Sequence, residues 1–239
     1  MAGKKKLVQS GLWQMSNTII IIVSQLAANA IMARYISKAD FGLMALANAF
    51  INFSTLFSEA GMGDALLQRK HLDQQHKNAA LFYSFSVSLI MYLILFFTAP
   101  YIAAFFDNYD KDLLINVIRV ISLSFIFLSL GSSSLNMIQK NLKFKQFFFS
   151  DSLSLLVSNV LGVVLSIKGY GVWSIVYSVL FYNVARLIMV WIQEPIPIHL
   201  GASLRHWKDL FSYGMGLTLV RMNNFVSGNG IMLEIGKLV

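Results

Sequence analysis

The run GLWQMSNTIIIIVSQLAANAIMA, Gly11 to Ala33, is about 23 residues long and carries no charge. Its reading decides the fold. About 20 apolar residues carry a helix across the hydrocarbon core of a bilayer. Lipid offers the backbone no hydrogen-bonding partner, so a segment that crosses it as a single element has to be helical. Ahead of the run stand Lys4, Lys5 and Lys6. A secretory leader would have a shorter apolar core that closes on a small-residue cleavage site. The run continues without one and reads as a retained first span.

Working outward, similar runs recur at roughly 41–59, 79–105, 113–137, 147–168 and 171–193, with a more polar seventh at 209–233. Pro100 is expected to end or kink the third, leaving 101–106 as an interfacial segment. Gly169-Tyr170-Gly171 is expected to close a tight hairpin between spans five and six. The composition agrees: 56% of residues are hydrophobic and 13% charged, against about 25% charged in soluble domains. There is no cysteine, which excludes disulfide frameworks, thiolate metal sites and cysteine nucleophiles. The formal charge of +8 would suggest nucleic acid for a soluble chain. Here it is read as a question of membrane sidedness, and nucleic acid is not an expected partner. With the N-terminus in the cytoplasm, Lys4, Lys5, Lys6, Arg69, Lys70, Lys77, Lys140, Lys143, Lys145, Arg205 and Lys208 fall inside. Only Arg34, Lys38, Lys111 and Lys168 fall outside, which is the positive-inside bias. The expected organisation is six spans over 1–206, with 207–239 beginning a second lobe.

The informative residues are those that lipid should exclude. At about 100° per residue, Asn48, Asn52, Thr55 and Glu59 share an arc of about 60° on span two. Gln14, Asn17, Thr18, Ser24, Gln25 and Asn29 share about 140° on span one. Arg119, Ser122, Ser129 and Ser133 share a face of span four, and Asp151, Ser154, Ser158 and Gly162 a face of span five. Such faces either line a common polar cavity or, where serine and glycine predominate, let helices pack closely. Arg119, Arg186 and Arg221 each lie inside an apolar run. A charge at the bilayer centre costs about 3 kcal/mol on insertion scales, so each turns to a cavity or a partner, or snorkels to the headgroups. An excess of arginine suits an anionic ligand such as a pyrophosphate or an acidic sugar. The candidate cavity residues are therefore Arg119, Arg186, Arg221, Asn48, Asn52 and Gln25, with Glu59 and Asp151 as candidates for charge balance or ion coupling. No phosphate-binding glycine loop, paired-histidine spacing or Gly-x-Ser-x-Gly is present, so no cofactor, metal or catalytic residue is expected.

Two stretches carry a resemblance. Ile31 to Leu43 contains Ala33, Arg34, Asp40, Phe41 and Gly42, and Phe57 to Arg69 contains Glu59, Gly61, Gln68 and Arg69. They resemble the polysaccharide transporter family of O-antigen, colanic-acid and teichuronic-acid type exporters in the MOP flippase superfamily. Tyr35-Ile36 departs from the usual leucine pair. QKNLKFKQFFF (139–149) is similar to the family's basic loop before span five, and Gly169-Tyr-Gly-Val-Trp-Ser174 to its hairpin. Ile235-Gly236-Lys237 resembles a motif of span seven, but Ile231 and Glu234 stand where members carry an Asp. The resemblance implies an all-α membrane fold: a six-helix, MATE-like N-terminal lobe followed by the start of a seventh transmembrane helix. It implies a flippase of the bacterial inner membrane that moves undecaprenyl-pyrophosphate-linked oligosaccharide by alternating access. Its partners would be that lipid-linked oligosaccharide, membrane lipid, and a second lobe or second copy. A drug or ion antiporter of the same superfamily, an integral-membrane glycosyltransferase or polymerase, and an inactive truncated remnant are the alternatives.

Overall fold

A computed structural model describes residues 2–58, 74–106 and 109–195, with side chains over 11–48, 77–106 and 109–195. Glu59, Arg221 and the expected second-lobe segment 207–239 lie outside the described residues, as does the side chain of Asn52. Within them the chain folds into helices: α1 (Ala2–Met32), α2 (Lys38–Ser58), α3 (Gln74–Phe105), α4 (Lys111–Ile121), α5 (Ser124–Lys140), α6 (Phe144–Ile167) and α7 (Val172–Gln193). Among the described residues, five segments are long and apolar enough to cross a membrane: Gly11–Met32, Lys77–Phe105, Lys111–Lys140, Phe144–Ile167 and Val172–Gln193. The all-α membrane architecture is as expected.

Two expectations about continuity are revised. Helix α3 does not end at Pro100 but runs through it to Phe105. The fourth span, expected as one helix, is two, because the N–H groups of Leu123, Phe125 and Ile126 donate to the i−3 carbonyls of Val120, Ser122 and Leu123 and break the helix at 122–123. Asp110 starts α4 by accepting the Leu113 N–H at 3.1 Å, which gives one member of the acidic loop a capping role.

Helix α1 lies along α6, α6 along α7, and α7 along α5, while α3 packs on α4 and α5. Helix α2 reaches α3, α4, α5 and α7. The core gathers where α2, α3, α4 and α7 meet, from Leu43, Met44, Ala47, Leu95, Ala99, Ala103, Leu114, Val117, Ile118, Ile121, Phe125, Val172 and Val176. Lipid tails are as apolar as leucine, so close packing of side chains, not escape from water, holds such helices together. That requirement accounts for the small residues. Ser150, Ser154, Ser158, Gly162 and Ser166 recur every fourth residue along α6 and are all buried. A Cβ on Gly162 would lie 3.0 Å from the Cβ of Ser178 and 3.3 Å from Met32 Sδ. Of the two readings left open for this face, Ser154, Ser158 and Gly162 follow the packing one; Asp151 does not.

Two turns have the same hydrogen-bond pattern. After α6, Gly169 N–H bonds to Ser166 O and Tyr170 N–H to Leu165 O, with Gly169 at φ +84°. After α5, Leu142 N–H bonds to Gln139 O and Lys143 N–H to Ile138 O, with Leu142 at φ 53°. Both are the crossed-bond helix ending that puts one residue in the left-handed region. Glycine takes that position freely, whereas a residue with a Cβ is strained there by roughly 1–2 kcal/mol.

Candidate functional site

The polar centre of the molecule is built on α6. Asp151 is eight residues into that helix and only 4% exposed. About 1.5 Å of rise per residue sets it about 10 Å below the start of the helix. Two other helices supply its partners. Asn17 of α1 donates from Nδ2 to Asp151 Oδ2 at 2.9 Å. Tyr182 of α7 donates its hydroxyl to Oδ1 at 2.6 Å. Arg186, one turn further along α7, brings Nε to 2.9 Å from the same Oδ1. That contact is an ion pair without hydrogen-bond alignment, since Arg186 Nε makes no hydrogen bond. Ser152 donates to Asn17 Oδ1 at 2.7 Å, so the amide is held at both ends. The guanidinium carbon also stands 5.8 Å from the centre of the Tyr182 ring and 5.9 Å from that of Phe147.

This arrangement answers the cost of charge in lipid. A carboxylate taken out of water needs an opposite charge and further donors, or it is strongly destabilising. Asp151 has a cation and two neutral donors, and the pair is neutral overall. Only the arginine keeps some access, with 19% of its side chain exposed against 5% for Asp151. The guanidinium is therefore the end of the network that an incoming anion could meet.

Arg119 has a different environment. Its Nε donates to the Phe96 carbonyl of α3 at 3.2 Å, and its guanidinium lies over the Phe96 ring at 4.3 Å. Phe96 is four residues before Pro100, and proline has no N–H to give that carbonyl. Arg119 thus supplies the bond that Pro100 removes, which lets α3 continue. The structure brings Asp151 and Arg186 together and keeps Arg119 apart from them. Asn48 is half-buried on α2, beside the buried Met44 and Ala47. Gln25 is exposed on α1 with Gln14, Thr18 and Asn29. These four span an arc of about 60° on one flank of the α6 contact; Met15, Ile19, Ile22, Val23 and Leu26 are exposed on the face turned away from α6.

Sequence reasoning missed Asn17 and Tyr182 as partners of Asp151, and Ser152 as the residue that holds Asn17. The signal for Tyr182 was its place one turn before Arg186. Asn17 belongs to the polar set of span one, but nothing in its spacing told it apart from its neighbours.

At the opposite end of the bundle, the quoted sequence motifs meet one another. Ser37 caps α2 by accepting the Asp40 N–H at 3.0 Å. Gly171 opens α7 at φ 54°, where a Cβ would come within 3.1 Å of Asp40 Oδ2. A carboxylate at a helix N-terminus is favoured by the helix dipole. A Cβ on Gly42 would meet the Tyr109 hydroxyl at 2.8 Å. The Asp-Phe-Gly stretch and the Gly-Tyr-Gly hairpin are thus two halves of one contact.

A family model described as polysaccharide biosynthesis protein matches residues 31–239. The teichuronic acid biosynthesis protein TuaB of Bacillus subtilis (strain 168) is 22% identical over 98% of this chain and 48% of its own length. The succinoglycan biosynthesis transport protein ExoT of Rhizobium meliloti (strain 1021) is 22% identical over 87% of this chain and 41% of its own. The lipopolysaccharide biosynthesis protein WzxC of Escherichia coli (strain K12) is 24% identical over 100% of this chain and 48% of its own. The chain spans about half the length of the curated relatives it matches. No solved structure matches it.

Proposed function

The chain belongs to the polysaccharide biosynthesis protein family, and from that premise we propose that it is the N-terminal lobe of a polysaccharide flippase. Its cargo is a lipid-linked oligosaccharide with an anionic linkage, carried across the bacterial inner membrane by alternating access. The N-terminus is cytoplasmic, and the protein transports without chemical conversion. The observation that carries this reading is the buried pair of Asp151 and Arg186, which ties together three helices inside the apolar layer. Such a pair is costly to keep in lipid and points to a functional role.

In the proposed mechanism Arg186 is the contact for the anionic group of the cargo. At rest it is neutralised by Asp151. When the cargo phosphate reaches the guanidinium, one oxyanion takes over from another, and Asp151 keeps the amide of Asn17 and the hydroxyl of Tyr182. The charge left on Asp151 is then available to balance a coupling cation. The exposed stripe of Gln14, Thr18, Gln25 and Asn29 supports a wet surface beside this site, facing a second lobe or a second copy.

The test is export of lipid-linked polysaccharide in a flippase-deficient strain, using the complete transporter that contains this chain. Arg186→Gln should abolish export, and so should the double variant Asp151→Asn/Arg186→Gln, which leaves no uncompensated buried charge and should remain in the membrane at normal abundance. Arg186→Lys should retain part of it, because the charge is kept and the planar fork is lost. Full export by Arg186→Gln at normal abundance would remove the basis of the proposal.

A further inference from the structure

The end of the bundle that carries the α5–α6 turn has a feature that transport of cargo does not use. Leu142, at the tip of that turn, is in the strained left-handed conformation and still 38% exposed. Its side chain gains little burial within the chain to offset the strain. Lys145 follows it, exposed, one turn before Phe148 and Phe149 on the same face of α6. Phe149 is 47% exposed. Across the α1–α6 groove, Trp13 meets Phe148 edge-on at 5.1 Å and Phe149 at 6.3 Å. Trp13 is two residues into the apolar segment Gly11–Met32, the level at which indole rings settle between headgroups and acyl chains.

The charge here is one-sided. Lys143 is tied to Glu194 at 2.6 Å, whereas Lys145 is exposed on the α6 face that carries Phe148 and Phe149. Beyond the turn, Lys77 and Lys140 stand close enough to repel each other. An exposed lysine one helical turn before a cluster of aromatic rings, with an exposed leucine three residues ahead of it, matches the cross-section of an anionic phospholipid: phosphate outermost, glycerol and first methylenes beneath. We propose that Leu142, Lys145, Phe149 and Trp13 form a binding surface for an anionic membrane phospholipid of the phosphatidylglycerol type. Lys145 takes the phosphate, while Leu142 and Phe149 lie against the glycerol and upper acyl carbons. The site is independent of the cargo reading, since it needs neither Arg186 nor transport.

The experiment uses the full chain in phosphatidylcholine vesicles and reads the tryptophan emission that Trp13→Phe removes. A minor fraction of acyl-brominated phosphatidylglycerol is compared with the same fraction of equally brominated phosphatidylcholine. Bromine quenches a nearby indole, so preferential quenching by phosphatidylglycerol reports occupancy. One lysine near an anionic headgroup contributes about a fivefold preference, and Lys145→Ala should lose about that factor. Lys145→Arg, which keeps the charge, should keep the preference. Equal quenching of Trp13 by both lipids would overturn the proposal. So would a preference that Lys145→Ala leaves unchanged or that Lys145→Arg abolishes.

Discussion

Arg186 and Arg119 look alike as sequence: each is a single cation in an apolar helix. The structure puts them in regions with different logic. Arg186 belongs to the layer of α1, α6 and α7, where it faces a buried carboxylate held by residues from two other helical positions. Arg119 belongs to the group of α3, α4 and α5, where it bonds a backbone carbonyl that a proline left open. The first arginine neutralises a charge, and the second repairs a helix. An intramembrane arginine therefore says that a partner exists, and only the neighbouring helix says whether that partner is a functional group or a defect in the backbone.

The largest expected effect separates the two by charge. Arg186→Ala leaves Asp151 buried and uncompensated, which costs about 3–5 kcal/mol. Replacing Asp151 and Arg186 together by apolar residues of similar volume should cost much less than either single change, because no orphan charge remains. Thermal unfolding of the detergent-solubilised chain measures this. Additive losses in the double variant would mean that the two residues act separately and would break the distinction drawn here.

The second prediction concerns Arg119. A hydrogen bond from a charged donor is worth about 1.5–3 kcal/mol, and the guanidinium over Phe96 adds to it. Arg119→Ala should therefore lower stability by about 2 kcal/mol. In a Pro100→Ala background the new N–H of residue 100 can serve the Phe96 carbonyl, so the same Arg119→Ala change should cost markedly less. Equal costs in both backgrounds would show that Arg119 is not there on account of the proline.

How far the sequence carried this far depends on what each residue's partner is. Apolar runs give the spans because lipid imposes one solution on any backbone that crosses it. The Gly169–Gly171 hairpin was legible because both glycines take positive φ. Asp151 and Arg186 were legible as costly charges, but their pairing was not, since 35 residues and a hairpin separate them and no spacing rule joins adjacent helices. Pro100 misled for a related reason. Its missing N–H predicts a stop only if nothing else serves Phe96, and the group that serves it is on another helix. The serine and glycine face of α6 could have lined a cavity or a seam, and only its contact with Ser178 and Met32 decided between them.

The smallest expected effect tests whether the layer around Arg186 is the tighter of the two. Gly162 and Gly131 both face α7, from α6 and α5 respectively, and alanine in a helix is favoured over glycine by about 0.5–1 kcal/mol. At Gly131 the new methyl would find Leu187 Cδ1 at 3.5 Å and Val190 Cγ2 at 3.6 Å, which is ordinary contact. Gly131→Ala should therefore be neutral or slightly stabilising. At Gly162 the same methyl would meet Ser178 Cβ at 3.0 Å and Met32 Sδ at 3.3 Å. Methionine can give way, but the serine Cβ is fixed to the α7 backbone, so α6 and α7 have to separate slightly. Overpacking of this kind costs about 1–3 kcal/mol, which outweighs the helix preference and leaves Gly162→Ala less stable. Because Asp151 on α6 and Arg186 on α7 depend on that same spacing, Gly162→Ala should also reduce the penalty of Arg186→Ala when the two are combined. A pair already loosened has less left to lose.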